Sequence, residues 1–522
     1  MISSEATGLR QRANPTIETI ATLLAVGLIA LLAFIPFTNG WRTPVSPLDE
    51  GMTLVYGEQL LDGAIPGESF DTTFPPGSSM MISASYLVFG ERLTAARAVG
   101  LGGRLLLLAS IGLMLRRWGR AAALLGMGFT ALLKVTGGVA VFPMSLGVAV
   151  LFAGAAVTVE ATTRQGRART VAFAVAGGLL GLAGATRFDF GLAIAATLGV
   201  VALTAPTDRR PMLVGALFGS APLLYQLLAA GPSVTVTKLV LEPAFVWGPY
   251  RRVPLGDASP ELQLRLVAIA VLFTVVVAWG VHAAVRLRGD ERVRSVALAA
   301  LALPTLPYAV QRLDGGHSSA SLRMLLLIVV AIGATVGARR WGRPVAGTSA
   351  AVAIAALVVL PTSIDNGILR TLRIPTTIET SPVVVGTEGR WVHVPERTRQ
   401  SLQEISDTLS QRSAPGERLV VGTKDPRRVF LVDTYIYFLF PHLQPGTYYM
   451  EFNPGVVNGQ DSGYADDVRA ADWLILNADY DAAADERQDP GPDEAIHVVD
   501  ELFCEIPVSG PLSLYERCDR RA

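Results

Sequence analysis

Charge is scarce in this chain. Asp, Glu, Lys and Arg make up 17% of its 522 residues, against 51% hydrophobic residues and a mean hydropathy of +0.42. A soluble protein of this length does not carry so many long apolar runs, so the composition excludes that class. The net charge is zero, with 44 basic and 44 acidic residues, which removes any bulk electrostatic case for a nucleic-acid partner. No P-loop, GxGxxG or GxSxG arrangement stands in a fitting context, so an ATP-driven transporter and a serine hydrolase are poor candidates. No histidine–carboxylate cluster has metal-ligand spacing; a divalent metal is possible but no cofactor is required. There are only two cysteines, Cys504 and Cys518, both near the C-terminal end. A pair confined to one polar region suggests a disulfide in an oxidising compartment, two unrelated thiols being the alternative.

Long apolar runs dominate what is present. A membrane helix needs about 20 apolar residues, and by that rule about eleven spans can be drawn: 17–37, 93–115, 121–135, 138–159, 171–187, 189–205, 211–230, 263–285, 295–310, 320–338 and 345–362. The third is short and reads equally as a re-entrant segment. The first is too long for a signal-peptide core and lacks a cleavage site, so it reads as a retained anchor.

Arginine clusters lie between these runs: Arg10 and Arg12; Arg116, Arg117 and Arg120; Arg164, Arg167 and Arg169; Arg209 and Arg210; Arg286, Arg288, Arg292 and Arg294; Arg339, Arg340 and Arg343. With eleven spans, every cluster falls on one side, which the positive-inside rule makes the cytoplasm. The expectation is a multi-pass protein of the plasma (inner) membrane, with a cytoplasmic N-terminus and an extracytoplasmic tail. Acidic and other ionisable residues then crowd the outer rim, while the interior is almost uncharged. An ion pathway would want charges at mid-depth. Two outer loops are long, 38–92 and 231–262. The first contains weakly amphipathic stretches near 50–62 and 78–89 that would lie along the membrane interface.

The texture changes after about residue 384, dividing a membrane module (1–384) from an outer domain (385–522). Val383–Val385, Leu419–Gly422 and Trp473–Leu476 read as buried strands, with helices near 396–411, 427–440 and 464–471. That alternation predicts a small α/β domain. Ile496–Ile506 and Leu512–Glu516 read as two further strands whose arms Cys504 and Cys518 would cross-link.

The sharpest constellation follows the first span: Pro47-Leu48-Asp49-Glu50-Gly51, Tyr56, Gly63, Pro66, Asp71 and Phe74-Pro75-Pro76-Gly77. Adjacent carboxylates beside a bilayer are costly unless they have a partner or a task. Sugar transfer from a lipid phosphate needs a base for the acceptor hydroxyl and positive charge for the leaving phosphate. On residues alone, Asp49 and Glu50 read equally well as acids capping an interfacial helix. The wider pattern, continuing to Phe89-Gly90 and Ala96-Arg97, resembles the first outer loop of GT-C superfamily glycosyltransferases. It is most similar to the branch of protein O-mannosyltransferases and aminoarabinose transferases. The motif likeness covers about residues 17–115, and the layout of the whole chain fits, the α/β tail being similar to actinobacterial members. The resemblance implies that Asp49 is the base, with Glu50 its neighbour or substitute, and that Asp71 is the second loop acid, meeting sugar hydroxyls or a metal.

Other groups are open to two readings. Arg312-Leu313-Asp314-Gly315-Gly316-His317 could hold a phosphate through Arg312 and His317, or could be a turn pinned by an Arg312–Asp314 pair. Arg187 and Asp189 could touch substrate or salt-bridge a helix hairpin. Tyr250, Arg251 and Arg252 could meet lipid phosphate or acceptor, or anchor the loop at the interface. Lys134 could face phosphate or snorkel. Tyr448 to Gly455 could stack on sugar, although an aromatic segment in a domain core fits better.

The expectation is a polytopic α-helical membrane protein of GT-C type with a C-terminal extracytoplasmic α/β domain. It would move one sugar, a pentose such as arabinose before a hexose, from a polyprenyl-phosphate donor to an envelope glycan or glycolipid. The rivals are a lipid-sugar flippase or transporter and a non-catalytic glycan-binding scaffold.

Overall fold

The computed structural model describes residues 41–47, 49–133, 139–251, 259–311, 314–363, 381–480 and 490–521. The first expected span, Lys134, Arg252 and Arg312 lie outside the described residues. The helices that matter below are α1 (Asp49–Leu61), α2 (Gly77–Phe89), α3 (Leu93–Leu115), α4 (Arg120–Leu133), α5 (Pro143–Ala161), α6 (Gly166–Thr186), α7 (Gly191–Thr204), α8 (Arg209–Gly219), α9 (Ala221–Ala229), α10 (Pro260–Arg286), α11 (Gly289–Ala300), α12 (Thr305–Gln311), α13 (Gly315–Trp341) and α14 (Pro344–Ser363).

Helix therefore occupies each of the ten expected spans within the described residues. Among those residues six helices are long and apolar enough to cross a membrane, or seven if α8 and α9, bent by 54°, form one broken span. α7 and the described start of α14 belong to the shorter apolar helices. α10 shows why the bundle needs lipid: Leu264, Val267, Val271 and Val275 stand exposed along it. A stripe of that kind on a soluble surface would drive association.

Helix packing relies on small residues. A Cβ on Gly177 or Gly181 of α6 would lie 1.9 or 2.1 Å from the Met212 or Ala216 carbonyl oxygen of α8. Gly215 and Gly219 of α8 face Ala174 and Gly178 of α6 in the same way, at 2.0 and 1.9 Å. Two small-xxx-small faces thus bring backbones into contact, the packing that lipid favours because it offers no hydrophobic drive between helices.

One end of the bundle is stitched by the arginine clusters. Arg116 and Arg164 share Glu160, Arg169 bridges Asp208 and Asp290, and Arg339 pairs with Glu291. These contacts bring the loops after α3, α5, α7, α10 and α13 to a common end, as the alternation of arginines predicts.

The C-terminal region holds a five-stranded mixed sheet. Its strands are β3 (Arg418–Thr423), β4 (Gln444–Pro445), β5 (Trp473–Asn477), β6 (Phe503–Ile506) and β7 (Leu512–Arg517), in the order β4-β3-β5-β7-β6. β3 runs parallel to β4 and β5, and β7 antiparallel to β5 and β6. A hairpin of β1 (Val383–Val385) and β2 (Trp391–His393) precedes it. The helix Glu396–Arg412 matches its expected range, whereas only Tyr435–Leu439 of 427–440 is α-helical. The expected strand 496–506 is instead a helix, Glu494–Leu502, followed by β6. Its apolar residues Ala495, Val498, Val499 and Leu502 recur at helical, not alternating, spacing. Cys504 and Cys518 are disulfide-bonded with Cα atoms 5.1 Å apart, tying β6 to the end of β7.

Residues 50–57 of α1 are all buried, whereas the end of α2 leaves Leu87, Val88 and Phe89 exposed. Leu54, Tyr56, Phe70 and Ile82 share one hydrophobic core with Leu402, Val421, Phe438 and Trp473 of the C-terminal region. Gly51 marks the closest approach: a Cβ there would sit 2.7 Å from the Tyr435 backbone nitrogen.

Candidate active site

Asp49 and Glu50, adjacent in sequence, have different surroundings because one residue turns a helix by about 100°. Glu50 is fully buried and forked onto Arg97 of α3, with Nε–Oε1 at 2.9 Å and Nη2–Oε2 at 3.0 Å. Arg97 also donates to the Trp41 and Thr43 carbonyls at 2.7 and 3.0 Å. Glu50 is therefore not an accessible substitute for Asp49: both its oxygens are committed to a buried guanidinium that anchors the start of the outer loop.

Asp49, half-buried at the first turn of α1, belongs to a different cluster. Its charge acts on Arg187, between α6 and α7, and on the Tyr308 side chain of α12. Arg187 is only 9% exposed and forks onto Asp189 at 3.0 and 2.6 Å. Its guanidinium lies 5.1 Å from the Phe74 ring centre and 5.2 Å from that of Tyr308. Burial disfavours the charged guanidinium, but Asp189 and Asp49 overcome this and hold the Arg187 pKa above its ordinary value. Tyr308 in turn packs on the His317 ring at 4.6 Å. His317 Nδ1 is 2.9 Å from Asp314 Oδ2, and Asp314 caps α13 by accepting from the His317 backbone N–H at 2.8 Å. Three distant segments thus place Arg187, Asp189, Tyr308, Asp314 and His317 in one continuous group, and Asp49 lies within electrostatic range of Arg187 and Tyr308.

The proline-glycine loop explains part of this convergence. A Cβ on Gly77 would lie 2.4 Å from the Ala185 carbonyl oxygen. The start of α2 is thereby pressed against the end of α6, which carries Arg187, and Phe74 reaches the guanidinium from the same turn.

Two arginines missed in the sequence lie beside the group. Arg265, near the start of α10, is 9% exposed; it donates to Ser318 Oγ at 3.2 Å and to Glu261 at 2.8 Å. Ser318 is anchored on the Asp314 carbonyl at 2.7 Å. Arg323, two turns into α13, lies within electrostatic range of Arg265. The available signal was an arginine inside an apolar run, which is expensive without a task.

Asp71 belongs to a second cluster. It is fully buried and paired with Lys238 at 2.8 Å, and Lys238 also holds Glu242 at 2.8 Å. Lys238 and Glu242 lie on a π-helical stretch, Thr237–Val246, in the second outer loop. The Asp71 N–H donates to the Tyr448 carbonyl at 2.7 Å, the Tyr448 hydroxyl donates to the Gly67 carbonyl at 2.8 Å, and Thr73 donates to Glu451 at 2.6 Å. Burial pushes the Asp71 carboxyl up to about 7, against the pull of Lys238. These bonds join both outer loops to the C-terminal domain, and they use the aromatic segment at Tyr448 as a fastening. Tyr250 lies near this joint too, its ring 3.1 Å from where a Gly455 Cβ would be; Arg251 ends the same short helix, Gly248–Arg251. The structure therefore does not bring Asp71 and Tyr250 into contact with the Asp49 group. Among the described residues, no three His, Cys, Asp or Glu side chains converge to hold a metal ion.

No protein-family model matches the chain, and no curated protein matches it in sequence. In fold the chain is similar to two crystal structures of ArnT from Cupriavidus metallidurans. One is bound to undecaprenyl phosphate (14% identity, 95% of this chain and 98% of that chain covered, TM-score 0.48). The other is in the apo state (15% identity, 96% and 98% covered, TM-score 0.48).

Proposed function

We propose that this protein is an integral membrane glycosyltransferase that moves one sugar from a polyprenyl-phosphate donor to an envelope glycan or glycolipid at the outer face. The observation that carries the reading is the convergence of Asp49 with Arg187, Asp189, Tyr308, Asp314 and His317, at the opposite ends of the helices from the arginine-stitched loops. It is supported by the GT-C-like motifs of the first outer loop, which supply Asp49. In this reading Asp49 takes the proton of the acceptor hydroxyl as its oxygen attacks the anomeric carbon. The bond from that carbon to the phosphate oxygen breaks on the opposite face, and the configuration inverts. The positive charge of Arg187 lies within electrostatic range of Asp49. Arg265 and Arg323, with His317 and, outside the described residues, Arg312 and Lys134, offset the charge gathering on the phosphate. Asp71 and Tyr250 act at one remove, through the fastening of the outer loops, and Arg251 meets the lipid phosphate or the acceptor. The reading calls on no cofactor. The sugar is a pentose such as arabinose before mannose or glucose, and the chain sits in the plasma (inner) membrane with its N-terminus cytoplasmic.

The test is transfer in vitro from polyprenyl-phosphate pentose and hexose donors, with Asp49→Asn against the native protein. Asp49→Asn preserves size and removes the base, so the rate is expected to fall at least about a hundredfold with an unchanged melting temperature. Near-native transfer by that variant sinks the assignment and favours a flippase or scaffold.

A further inference from the structure

A cleft of about 500 Å³ lies between the first outer loop and the C-terminal domain, and it shares no lining residue with the Asp49 group. Four segments far apart in sequence build it. The end of α1 brings Glu58 and Asp62, the turn before α3 brings Glu91, the β1–β2 hairpin brings Glu388 and Arg390, and the edge strand β4 brings Gln444. Arg390 ties these segments together. Its side chain is 9% exposed and pairs with both Glu58 and Glu91. It also donates to the Phe438 carbonyl at 3.3 Å and lies 4.8 Å from the Phe438 ring centre. Asp62, Glu388 and Gln444 are instead exposed. Among the described residues, none of these three side chains has an ion pair or a hydrogen bond. A further polar group lies beside the Arg390 bridge. Tyr86 is 2% exposed, and its hydroxyl has no hydrogen-bond partner among the described residues. It is within electrostatic range of Glu58, Arg390 and Glu91. A buried hydroxyl is normally paired, so this one points to a missing partner at the same place.

The lining selects a class of ligand. Carboxylates, amides and a guanidinium stand beside a smaller apolar part that includes Tyr437, Leu443 and Pro445. A sugar chain, with hydroxyls around its rings and C–H faces between them, meets both kinds of wall. A fatty or aromatic molecule would leave the polar majority unpaired. Even with Glu58 protonated, Asp62, Glu91 and Glu388 outnumber the one guanidinium, so a chain bearing phosphate or uronate is repelled. The acids are also too dispersed for a metal: among the described residues no three of them converge on one point. We propose that this cleft binds a neutral oligosaccharide, the stretch of acceptor glycan that lies behind the hydroxyl to be glycosylated. Only the word acceptor rests on the glycosyl-transfer reading. α1 begins at Asp49 and reaches the cleft at Glu58, about 14 Å further along the helix axis. One helix thus carries both the base of that reading and the wall of the cleft. A subsite at such a remove binds substrate and transition state alike, so it acts on KM and not on kcat.

The test uses the full-length protein in neutral detergent, without any sugar donor. It is titrated calorimetrically with arabinan and galactan hexasaccharides, with hexagalacturonate, and with calcium chloride. A neutral hexasaccharide is expected to bind, and hexagalacturonate is not. Asp62→Ala should weaken binding about tenfold and Gln444→Ala about fivefold, the scales of a charge-assisted and a neutral hydrogen bond. Both side chains are exposed, so both variants are expected to fold. Glu501→Ala removes an exposed carboxylate on the helix Glu494–Leu502, outside the cleft, and should leave binding unchanged. In a transfer assay, Asp62→Ala should raise the KM for the glycan acceptor and spare kcat. The proposal is overturned if neither neutral hexasaccharide binds, if hexagalacturonate binds as tightly, if both Asp62→Ala and Gln444→Ala bind natively, or if Glu501→Ala weakens binding equally. Heat on adding calcium with none on adding sugar would make the cleft a cation site instead. Sugar binding without transfer from any donor keeps the cleft and removes the glycosyl-transfer reading; transfer without sugar binding does the reverse.

Discussion

Glu50 and Arg97 form a fully buried, two-pronged ion pair that joins the first helix of the outer loop to the start of α3. Breaking such a pair from one side strands a charge in a medium that cannot solvate it, at a cost of about 3–5 kcal/mol. Glu50→Gln and Arg97→Gln are therefore each expected to lower the melting temperature of the purified protein sharply. The double variant Glu50→Leu/Arg97→Met should recover most of the loss, since an apolar pair of similar volume strands nothing. Melting curves of the four proteins check this. A Glu50→Gln protein of native stability but no activity would return Glu50 to the chemistry.

What could be read in the sequence followed the length of its signals. Spans such as 93–115 and 320–338 are long apolar runs broken only by single arginines, and helices occupy them. Within the described residues, ion pairs of Arg116, Arg164, Arg169 and Arg339 gather the arginine clusters at one end. The outer loop was legible only as a motif. Nothing in the sequence separates the environments of Asp49 and Glu50, because the difference is a rotation about α1 and the reach of Arg97 from 47 positions away. The burial of α1 was equally hidden, since it shares one core with Leu402, Phe438 and Trp473 near the far end of the chain. Glu494–Leu502 was misread because a short apolar run does not distinguish helix from strand until its spacing is weighed. Arg265 and Arg323 were overlooked because each was counted into an apolar run and not as an exception within it.

The arginine bias predicts which end of the bundle faces the cytoplasm. Thr207 and Gln400 are exposed on opposite ends of that scheme. The only native cysteines are joined as Cys504–Cys518, so an introduced thiol stands alone without further engineering. In intact cells, an impermeant maleimide is expected to label Gln400→Cys and to leave Thr207→Cys unlabelled until the cells are lysed. Labelling of Thr207→Cys alone in intact cells would invert the topology.

The joint between the outer loops and the C-terminal domain carries two carboxyls that burial pushes upward. Asp71 is raised to about 7 in spite of Lys238, and Glu58 to about 8 in spite of Arg390. A carboxyl that holds its proton more tightly folded than unfolded adds stability that is fully present below its unfolded pKa. That contribution is lost as pH rises from the unfolded value through the folded one. The melting temperature is therefore expected to fall between about pH 4 and pH 8 and to level off above, where both groups are ionised in either state. Asp71→Asn, which cannot ionise, should flatten the part of the slope below about pH 7. A native protein whose melting temperature is level or rising across that range would show that neither carboxyl is destabilised by its burial.

Arg187 is the residue on which the Asp49 group turns. Its guanidinium lies between two aromatic faces, is forked onto Asp189, and acts on the charge of Asp49. A positive neighbour favours the ionised form of a carboxylate. If Asp49 is the base, taking that charge away makes its carboxylate easier to protonate. Arg187→Gln is then expected to lower kcat and to move the acid limb of the pH–rate profile to higher pH. Arg187→Lys keeps the charge but loses the planar fork and its stacking on Phe74 and Tyr308. It should lower kcat as well, while leaving the acid limb close to its native position. A role confined to holding α6 against α7 would reduce activity in both variants through stability alone and leave both pH profiles unmoved. Rates measured from pH 5 to pH 9, with melting temperatures recorded beside them, separate the two. An unshifted acid limb in Arg187→Gln would remove Arg187 from the control of Asp49.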